Sequence, residues 1–134
     1  MAGEMDLEKL LRDMKPELNA DEYVFCAVDS FQQAAALNPI CVFREREAVT
    51  VILSKQQADD ISLPYSVIYA WITLTVHSSL EAVGLTAAVS KALTNANISC
   101  NVVAAYYHDH IFIPEQDAQR AMDVLQELSK QENP

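Results

Sequence analysis

The stretch from Ile68 to His77 most restricts how this chain can fold. Apolar side chains alternate there, one by one, with side chains of a different kind; the apolar set is Ile68, Ala70, Ile72, Leu74 and Val76. A period of two residues predicts a β-strand whose two faces meet different surroundings. The apolar set is therefore expected to face a core, and the strand is predicted to run from Ser66 to Val76.

The residues after this strand predict a helix, two strands and a second helix. The first helix has an apolar face and is predicted to run to Asn97, a residue type that tolerates the left-handed conformation of a helix end. Two β-rich runs follow, at Ile98–Tyr106 and His110–Ile113. After Pro114, apolar side chains at spacings of three and four predict the last helix, through Ala118, Met122, Leu125 and Leu128.

The first half of the chain predicts the same order of elements. A helix that Asp6 caps and Pro16 ends precedes a strand at Tyr23–Val28 and a short helical stretch. A hairpin is predicted next, and a brief helix then starts at the capping box that Ser54 forms with the residue three positions on. Its elements are Phe31–Leu37, Ile40–Phe43, Ala48–Leu53 and Ser54–Asp60.

Pro64 is the clearest internal boundary, so we predict two segments, 1–64 and 65–134. Both predict strand, helix, strand, strand, helix, which favours an α+β, ferredoxin-like fold with the helices on one side of each antiparallel sheet. Neither segment supplies a sixth element clearly. Two arrangements remain open: the strand Ser66–Val76 serves both units, or the first half lends an edge strand to the second.

Charge and composition exclude several classes of partner. Against 9 Lys and Arg stand 19 Asp and Glu, a formal charge of −10, and the basic residues are scattered. Nucleic acid and anionic membrane surfaces are therefore not expected as partners. No leader or spanning segment is recognisable, which predicts a cytoplasmic protein. The three cysteines lie in apolar runs without basic neighbours and are interpreted as reduced thiols, Cys26, Cys41 and Cys100.

Gly84 is the second of only two glycines, and it lies where the strand ending near Val76 gives way to the next helix. Glycine lowers helix stability by roughly 1 kcal/mol relative to alanine, so its position calls for a reason. Close approach of a backbone or ligand and a positive φ angle are both compatible with it. A tight turn without any ligand is equally compatible.

The run GLTAAVSKALTNANISCNV, from Gly84 to Val102, resembles the ACT domain, in which a glycine and an apolar residue start a helix. With its lead-in VHSSLEAV and the residues through Pro114, it is similar to small bacterial ACT proteins and to the ACT modules of aspartate kinases. The resemblance covers about Ser66 to Lys130. It implies tandem ACT-like βαββαβ units, of which the first is divergent and lacks a glycine at the matching turn.

The resemblance also implies a ligand site, because ACT domains bind free amino acids at an interface between two units. Backbone amides at the glycine turn would meet the ligand carboxylate, and the strand side would come from a neighbouring unit. The run is also similar to the ACT modules of the eukaryotic cytosolic arginine sensor, and in that resemblance Asp109 matches the acidic residue that receives the cationic end of the ligand. The implied ligand-binding set is Ser78, Ser79, Gly84, Leu85, Thr86, Asn101, Val102, Val103 and Asp109.

Two more specific kinds of site, a metal site and a catalytic Ser-His-acid site, are not favoured. His108 and His110 are two residues apart and could share a strand face, but two ligands are too few for a metal site. The Ser78–Glu81 pattern is typical of a helix capping box rather than of a catalytic Ser-His-acid arrangement. We therefore expect no cofactor, no metal and no catalysis.

Two functions from different classes remain. The first is a regulatory module that binds a free amino acid; the second is a structural dimerisation protein with no ligand. For both, the resemblance implies a homodimer or higher closed oligomer that pairs through sheet edges or helices.

Overall fold

The computed structural model describes residues 6–76 and 83–130. Helices within those ranges are α1 (Leu7–Asp13), α2 (Phe31–Ala36), α3 (Lys55–Asp60), α4 (Leu85–Asn95) and α5 (Ala118–Lys130). Strands are β1 (Pro16–Leu18), β2 (Tyr23–Val28), β3 (Cys41–Arg44), β4 (Val49–Ser54), β5 (Tyr69–Leu74), β6 (Asn101–Ala104) and β7 (Asp109–Pro114). A single 3₁₀ turn, Glu115–Asp117, leads into α5. The predicted α+β class is confirmed.

Backbone contacts divide the chain into two compact units. The inner unit is Ala20–Tyr69, and the outer unit combines Met1–Asn19 with Ala70–Pro134. These units differ from the two segments predicted from the sequence, 1–64 and 65–134. The predicted boundary at Pro64 remains a prediction. None of the described helices is long and apolar enough to cross a membrane.

In the inner unit, β4 lies between β3 and β2 and pairs antiparallel with both. The predicted hairpin of β3 and β4 is confirmed, with Cys41 opposite Ile52 and Arg44 opposite Val49. Alternate residues of β2 and β4 share one buried cluster with Ala34 of α2 and Ala58 of α3. Both helices therefore cover the same face of the sheet, as the ferredoxin-like pattern requires.

The short helices of the inner unit start at side-chain caps that can be recognised in the sequence. The Ser30 hydroxyl accepts a hydrogen bond from the Gln33 amide at the start of α2. At α3, the Ser54 hydroxyl accepts from the Gln57 amide and the Gln57 side chain accepts from the Ser54 amide, so the predicted capping box is confirmed. These bonds satisfy amides that a helix start otherwise leaves open.

In the outer unit, β5 lies beside β7, β7 pairs antiparallel with β6, and β1 pairs antiparallel with β5. Pro16 lies opposite Leu74 and Leu18 opposite Ile72. The unit's strand order is therefore β1, β5, β7, β6, and β1 supplies the sixth element that the second half lacks. The first half thus lends an edge strand to the second, and Tyr69 of the same strand β5 lies opposite Tyr23 of β2 within the inner unit, so both arrangements left open by the sequence occur.

Helix α1 completes the core of the outer unit. Leu10 and Met14 are fully buried, and they share one cluster with residues of β5, β7, α4 and α5. The helix begins at the predicted cap, because the Asp6 carboxylate accepts hydrogen bonds from the amides of Glu8 and Lys9. It ends at Asp13, and Pro16 begins β1 instead of only stopping the helix.

Two predicted strands are shorter in the structure. The strand expected at Ser66–Val76 is limited to Tyr69–Leu74, and the one expected at Ile98–Tyr106 is limited to Asn101–Ala104. Helix α4 ends at Asn95, two residues before the predicted end, and residues 96–100 connect it to β6; Asn97 has a φ of 60°, the left-handed conformation that the sequence predicted. The strand ends are set by hydrogen-bonded pairing with neighbouring strands, and the alternation of apolar residues in the sequence does not specify that pairing.

Candidate functional site

Gly84 lies directly before α4 and has a φ of +105°, a conformation that side-chain-bearing residues rarely adopt. A Cβ atom at this position would lie 3.0 Å from Cδ2 of Leu7. The positive φ inferred from the sequence is therefore present, whereas the close approach is not made by the backbone or ligand that the sequence suggested. The group that approaches is a side chain of the chain's own first helix.

Among the described residues, no side chain caps the start of α4. Gly84 cannot supply one, and its carbonyl accepts from the Ala88 amide as the helix begins. The amides of Leu85 and Thr86 are among the first-turn groups that have no partner inside a helix. Leu85 is buried in the core, whereas Thr86 is exposed. Ser78 and Ser79, also predicted for this site, lie outside the described residues.

The predicted strand side of the site is β6, which has two different faces. Asn101 lies opposite Phe112 and Val103 opposite His110, so these four side chains share one face of the hairpin. Val102 packs against the core of the outer unit on the other face. The Asn101 side-chain amide lies 3.5 Å from the Phe112 carbonyl. Strand β6 ends the strand order of this sheet.

Asp109 is the first residue of β7, opposite Ala104, and is only 7 % exposed. It shares a face with Ile111 and Ile113, which belong to the core, so its carboxyl group lies on the helix-covered side of the sheet. Burial raises the pKa of this carboxyl group, while the neighbouring imidazoles of His110 and His108 act in the lowering direction. A buried carboxylate of this kind gains from a cationic partner.

The structure thus brings part of the predicted set together. Asn101, Val102, Val103 and Asp109 lie on one hairpin, where Asp109 is one register position from Val103. Gly84, Leu85 and Thr86 lie at the start of α4, next to α1.

A polar cluster that the sequence did not predict lies on the face of β5 and β7 opposite the core. The Trp71 indole N–H donates to Nδ1 of His110 at 3.0 Å, and Oγ1 of Thr73 lies 3.2 Å from the same nitrogen. The Asn19 side-chain amide donates to Oγ1 of Thr73 at 2.9 Å and to the Trp71 carbonyl at 3.1 Å. Burial is the largest cause that lowers the pKa of His110.

Only part of this cluster could have been recognised in advance. Alternation along β5 places Trp71 and Thr73 on the same face, away from the apolar set. Asn19 lies 52 residues before Trp71, and no local pattern connects the two.

The surroundings of His108 and of the cysteines bear on two other kinds of site, a metal centre and a reactive thiol. Nδ1 of His108 lies 3.3 Å from the Val76 carbonyl, and within residues 6–76 and 83–130 no three metal-binding side chains are grouped to hold an ion. The three cysteines are free thiols, and burial raises the pKa of each, for Cys100 to about 11. A thiol with a raised pKa stays protonated near neutral pH and is a poor nucleophile.

An α+β chain of two compact units, each with helices packed on β-strands and one of them completed by an N-terminal strand, defines the class of small tandem ferredoxin-like proteins. ACT domain models match the chain twice, over residues 2–70 and over residues 66–127. The first match alone covers more than half of the 134 residues. The chain therefore belongs to the ACT domain family, and the first half, which resembled an ACT unit only in its element order, is included.

Solved structures agree with this assignment. A protein of unknown function from Vibrio cholerae, described as a possible transport protein, is 47 % identical over 92 % of this chain and 96 % of its own, with a TM-score of 0.85. The regulatory subunit of aspartate kinase from Thermus thermophilus, in its ligand-free form, is 10 % identical over 88 % of this chain and 97 % of its own, with a TM-score of 0.64. A protein from Agrobacterium tumefaciens is 13 % identical over 87 % and 89 %, with a TM-score of 0.68. The last two show the fold alone, and no curated protein matches the chain.

Proposed function

We propose that this protein is a regulatory module that binds a free amino acid and does not catalyse a reaction. The observation that carries the proposal is Gly84, held at a positive φ directly before the start of α4, where it offers no side-chain cap, in a chain of the ACT family. By analogy, the aspartate kinase regulatory subunit that shares this fold also favours a regulatory role. We propose that it acts in the cytoplasm as a homodimer.

The ligand carboxylate would bind at the amides of Leu85 and Thr86. Helix α4 has 11 residues, so its N-terminus has the partial positive charge of a full helix dipole and several amides without intrahelical partners. An anion at such a position gains roughly 0.3–1 kcal/mol from the dipole alone. Ser78 and Ser79, in the segment before the turn, would add hydroxyl groups.

The strand side of the site would be Asn101, Val102 and Val103 of a neighbouring unit, supplied by a second copy of the chain. Strand β6 ends the strand order of its sheet, so its outer edge has backbone groups that can bond to a ligand or to another strand. A site of this kind is complete only in the dimer.

Asp109 would set the preference among amino acids. Its carboxyl group is buried and its pKa is raised by desolvation, so a cation placed next to it would restore the charged form. We therefore propose that arginine or lysine binds better than a neutral amino acid of the same length, such as citrulline or norleucine.

The test is a thermal-shift screen of the free amino acids at millimolar concentration against the wild-type protein. A ligand at a hundredfold excess over its dissociation constant stabilises by roughly 2.7 kcal/mol, which a melting curve resolves. Thr86→Pro removes one of the proposed amides, and Thr86→Ala is the matched control that keeps it. Loss of the shift in the proline variant alone supports the site, whereas equal shifts in both variants contradict it.

One observation favours the structural dimerisation alternative. The side chain of Leu7 fills the space beside the Gly84 α-carbon, so packing within the chain already accounts for a glycine there. If no amino acid raises the melting temperature of the wild-type protein, this alternative replaces the proposal.

A further inference from the structure

Leu7, the first residue of α1, occupies the space that the missing side chain of Gly84 leaves open. A Cβ atom at Gly84 would lie 3.0 Å from Cδ2, 3.7 Å from Cδ1 and 3.8 Å from Cγ of Leu7. The branched end of this one side chain therefore covers the α-carbon of the turn. Both residues belong to the outer unit, so the contact is internal to that unit.

Helix α1 is anchored more firmly at its second turn than at its first. Leu7 is half-buried and the two residues after it are exposed, whereas Leu10 and Met14 are fully buried in the core of the outer unit. Strand β1 follows the helix and pairs with β5. The side chain of Leu7 can therefore leave Gly84 while the rest of the N-terminal segment keeps its place.

An amino acid bound at the amides of Leu85 and Thr86 needs the space that Leu7 fills. A glycine beside such amides allows a ligand to approach the backbone closely, and here the methyl groups of Leu7 already lie at that distance. The charged groups of a free amino acid would lose hydration against these methyl groups without gaining a hydrogen bond. Leu7 in its observed position and a bound amino acid therefore exclude each other.

We infer that Leu7 is a gate on the amino-acid site: the structure shows the closed form, and a ligand binds after Leu7 has moved away from Gly84. This inference rests on the proposed function and concerns the regulation of the same site. Because the ligand binds the open form alone, its apparent dissociation constant is the intrinsic one divided by the open fraction. Ligand binding in turn changes the position of the first turn of α1.

The gate and Asp109 have separable effects on binding. Opening the gate costs the same free energy for every ligand, so it lowers all affinities by one common factor. A cation beside the buried carboxyl group of Asp109 is a gain for cationic ligands alone. Removal of Leu7 should therefore change the affinities for arginine and citrulline equally, and their ratio should stay as it is in the wild type.

Isothermal titration calorimetry of the full chain with arginine and with citrulline tests the gate. Leu7→Ala removes the covering methyl groups and should bind both ligands about tenfold more tightly than the wild type, which corresponds to a closed form populated about nine times in ten. Leu11→Ala is the matched control, because Leu11 is also half-buried on α1 and packs against the same core, one helical turn further on. This control should bind both ligands like the wild type.

A second measurement needs no substitution. In the wild-type protein, the short distance predicts a strong nuclear Overhauser effect between the methyl protons of Leu7 and the α-protons of Gly84. Saturating arginine should abolish this signal, whereas the signals between Leu11 and the core should remain. If Leu7→Ala proves too unstable to titrate, as circular dichroism would show, this measurement decides alone.

An equal gain for arginine and citrulline in Leu7→Ala, with no gain in Leu11→Ala, supports the inference. Equal affinities in wild type and Leu7→Ala, a gain confined to arginine, the same gain in Leu11→Ala, or a contact between Leu7 and Gly84 that persists in the arginine complex would each overturn it and leave the proposed function in place. If neither the wild type nor Leu7→Ala binds either ligand at millimolar concentration, the proposed function fails and the gate fails with it.

Discussion

The indole N–H of Trp71 donates a hydrogen bond to Nδ1 of His110 across the strand pair β5 and β7, at 3.0 Å. Oγ1 of Thr73 lies 3.2 Å from the same nitrogen and accepts a bond from Asn19, which leaves its hydrogen free to donate to His110. Two donors at Nδ1 require that nitrogen to be unprotonated. The neutral imidazole therefore has its hydrogen on Nε2.

The first prediction is a loss of stability in mild acid that comes from His110. Its pKa is lowered from 6.5 in the folded protein, chiefly by burial, with His108 adding to the effect and Asp109 opposing it. The unfolded chain therefore binds more protons below about pH 6.5, and the free energy of unfolding decreases as the pH falls through that value. Urea unfolding between pH 8 and pH 5, followed by the fluorescence of Trp71, the only tryptophan, measures it.

His110→Gln is the matched variant for this prediction, because the glutamine oxygen can still accept a bond but does not titrate. The difference in unfolding free energy between wild type and variant should shrink or change sign on going from pH 8 to pH 5. A difference that stays constant over this range would show that His110 does not titrate differently in the two states.

The second prediction concerns Gly84. At a φ of +105°, an alanine side chain is strained by roughly 1–2 kcal/mol, and its Cβ would meet Leu7 at 3.0 Å. Gly84→Ala is therefore expected to lower the free energy of unfolding by at least that amount in urea titrations. Adding Gly84→Ala to a Leu7→Ala background should remove the contact and leave the backbone strain. An unchanged stability for Gly84→Ala would contradict the conformation described here.

The third prediction separates stability from ligand preference at Asp109. Desolvation raises the pKa of this carboxyl group, so its ionised form weakens the fold at neutral pH and its protonation on acidification relieves that cost. Asp109→Asn should then raise the unfolding free energy at pH 7 by roughly 1 kcal/mol. The same variant should reduce the thermal shift caused by cationic amino acids more than the shift caused by neutral ones. A less stable variant with an unchanged ligand preference would argue against both roles.

Local patterns in the sequence predicted most of the elements but not the one pairing that defines the outer unit. Strand Tyr23–Val28, the capping box at Ser54 and the left-handed Asn97 all follow from interactions within a few residues. Strand β1 is three residues long and contains a proline, a glutamate and a leucine, so no alternation marks it. Only its ladder with β5, more than 50 positions away, makes it a strand.

The candidate site shows the same limit. A glycine at a strand-to-helix turn can be recognised in the sequence, because the requirement for a positive φ is local. That Leu7 of α1 fills the space next to it depends on tertiary packing of the N-terminal segment. The polar cluster around His110 likewise joins side chains from three separate segments.

The last prediction follows from the N-terminal segment. A fragment of residues 65–134 lacks β1 and the fully buried side chains of Leu10 and Met14, so the core around β5 is left open. Each missing side chain accounts for roughly 1.5–3 kcal/mol of burial, a large part of the stability of a small unit. We expect this fragment to show no cooperative thermal transition by circular dichroism. In contrast, residues 70–134 followed by a flexible Gly/Ser linker and residues 6–19 should unfold cooperatively, because this order restores β1 and α1. The same permuted chain with Leu10→Asp and Met14→Asp is the control and should fail to fold. Should residues 65–134 alone melt at the temperature of the permuted chain, the N-terminal strand and helix would not be part of this unit's core.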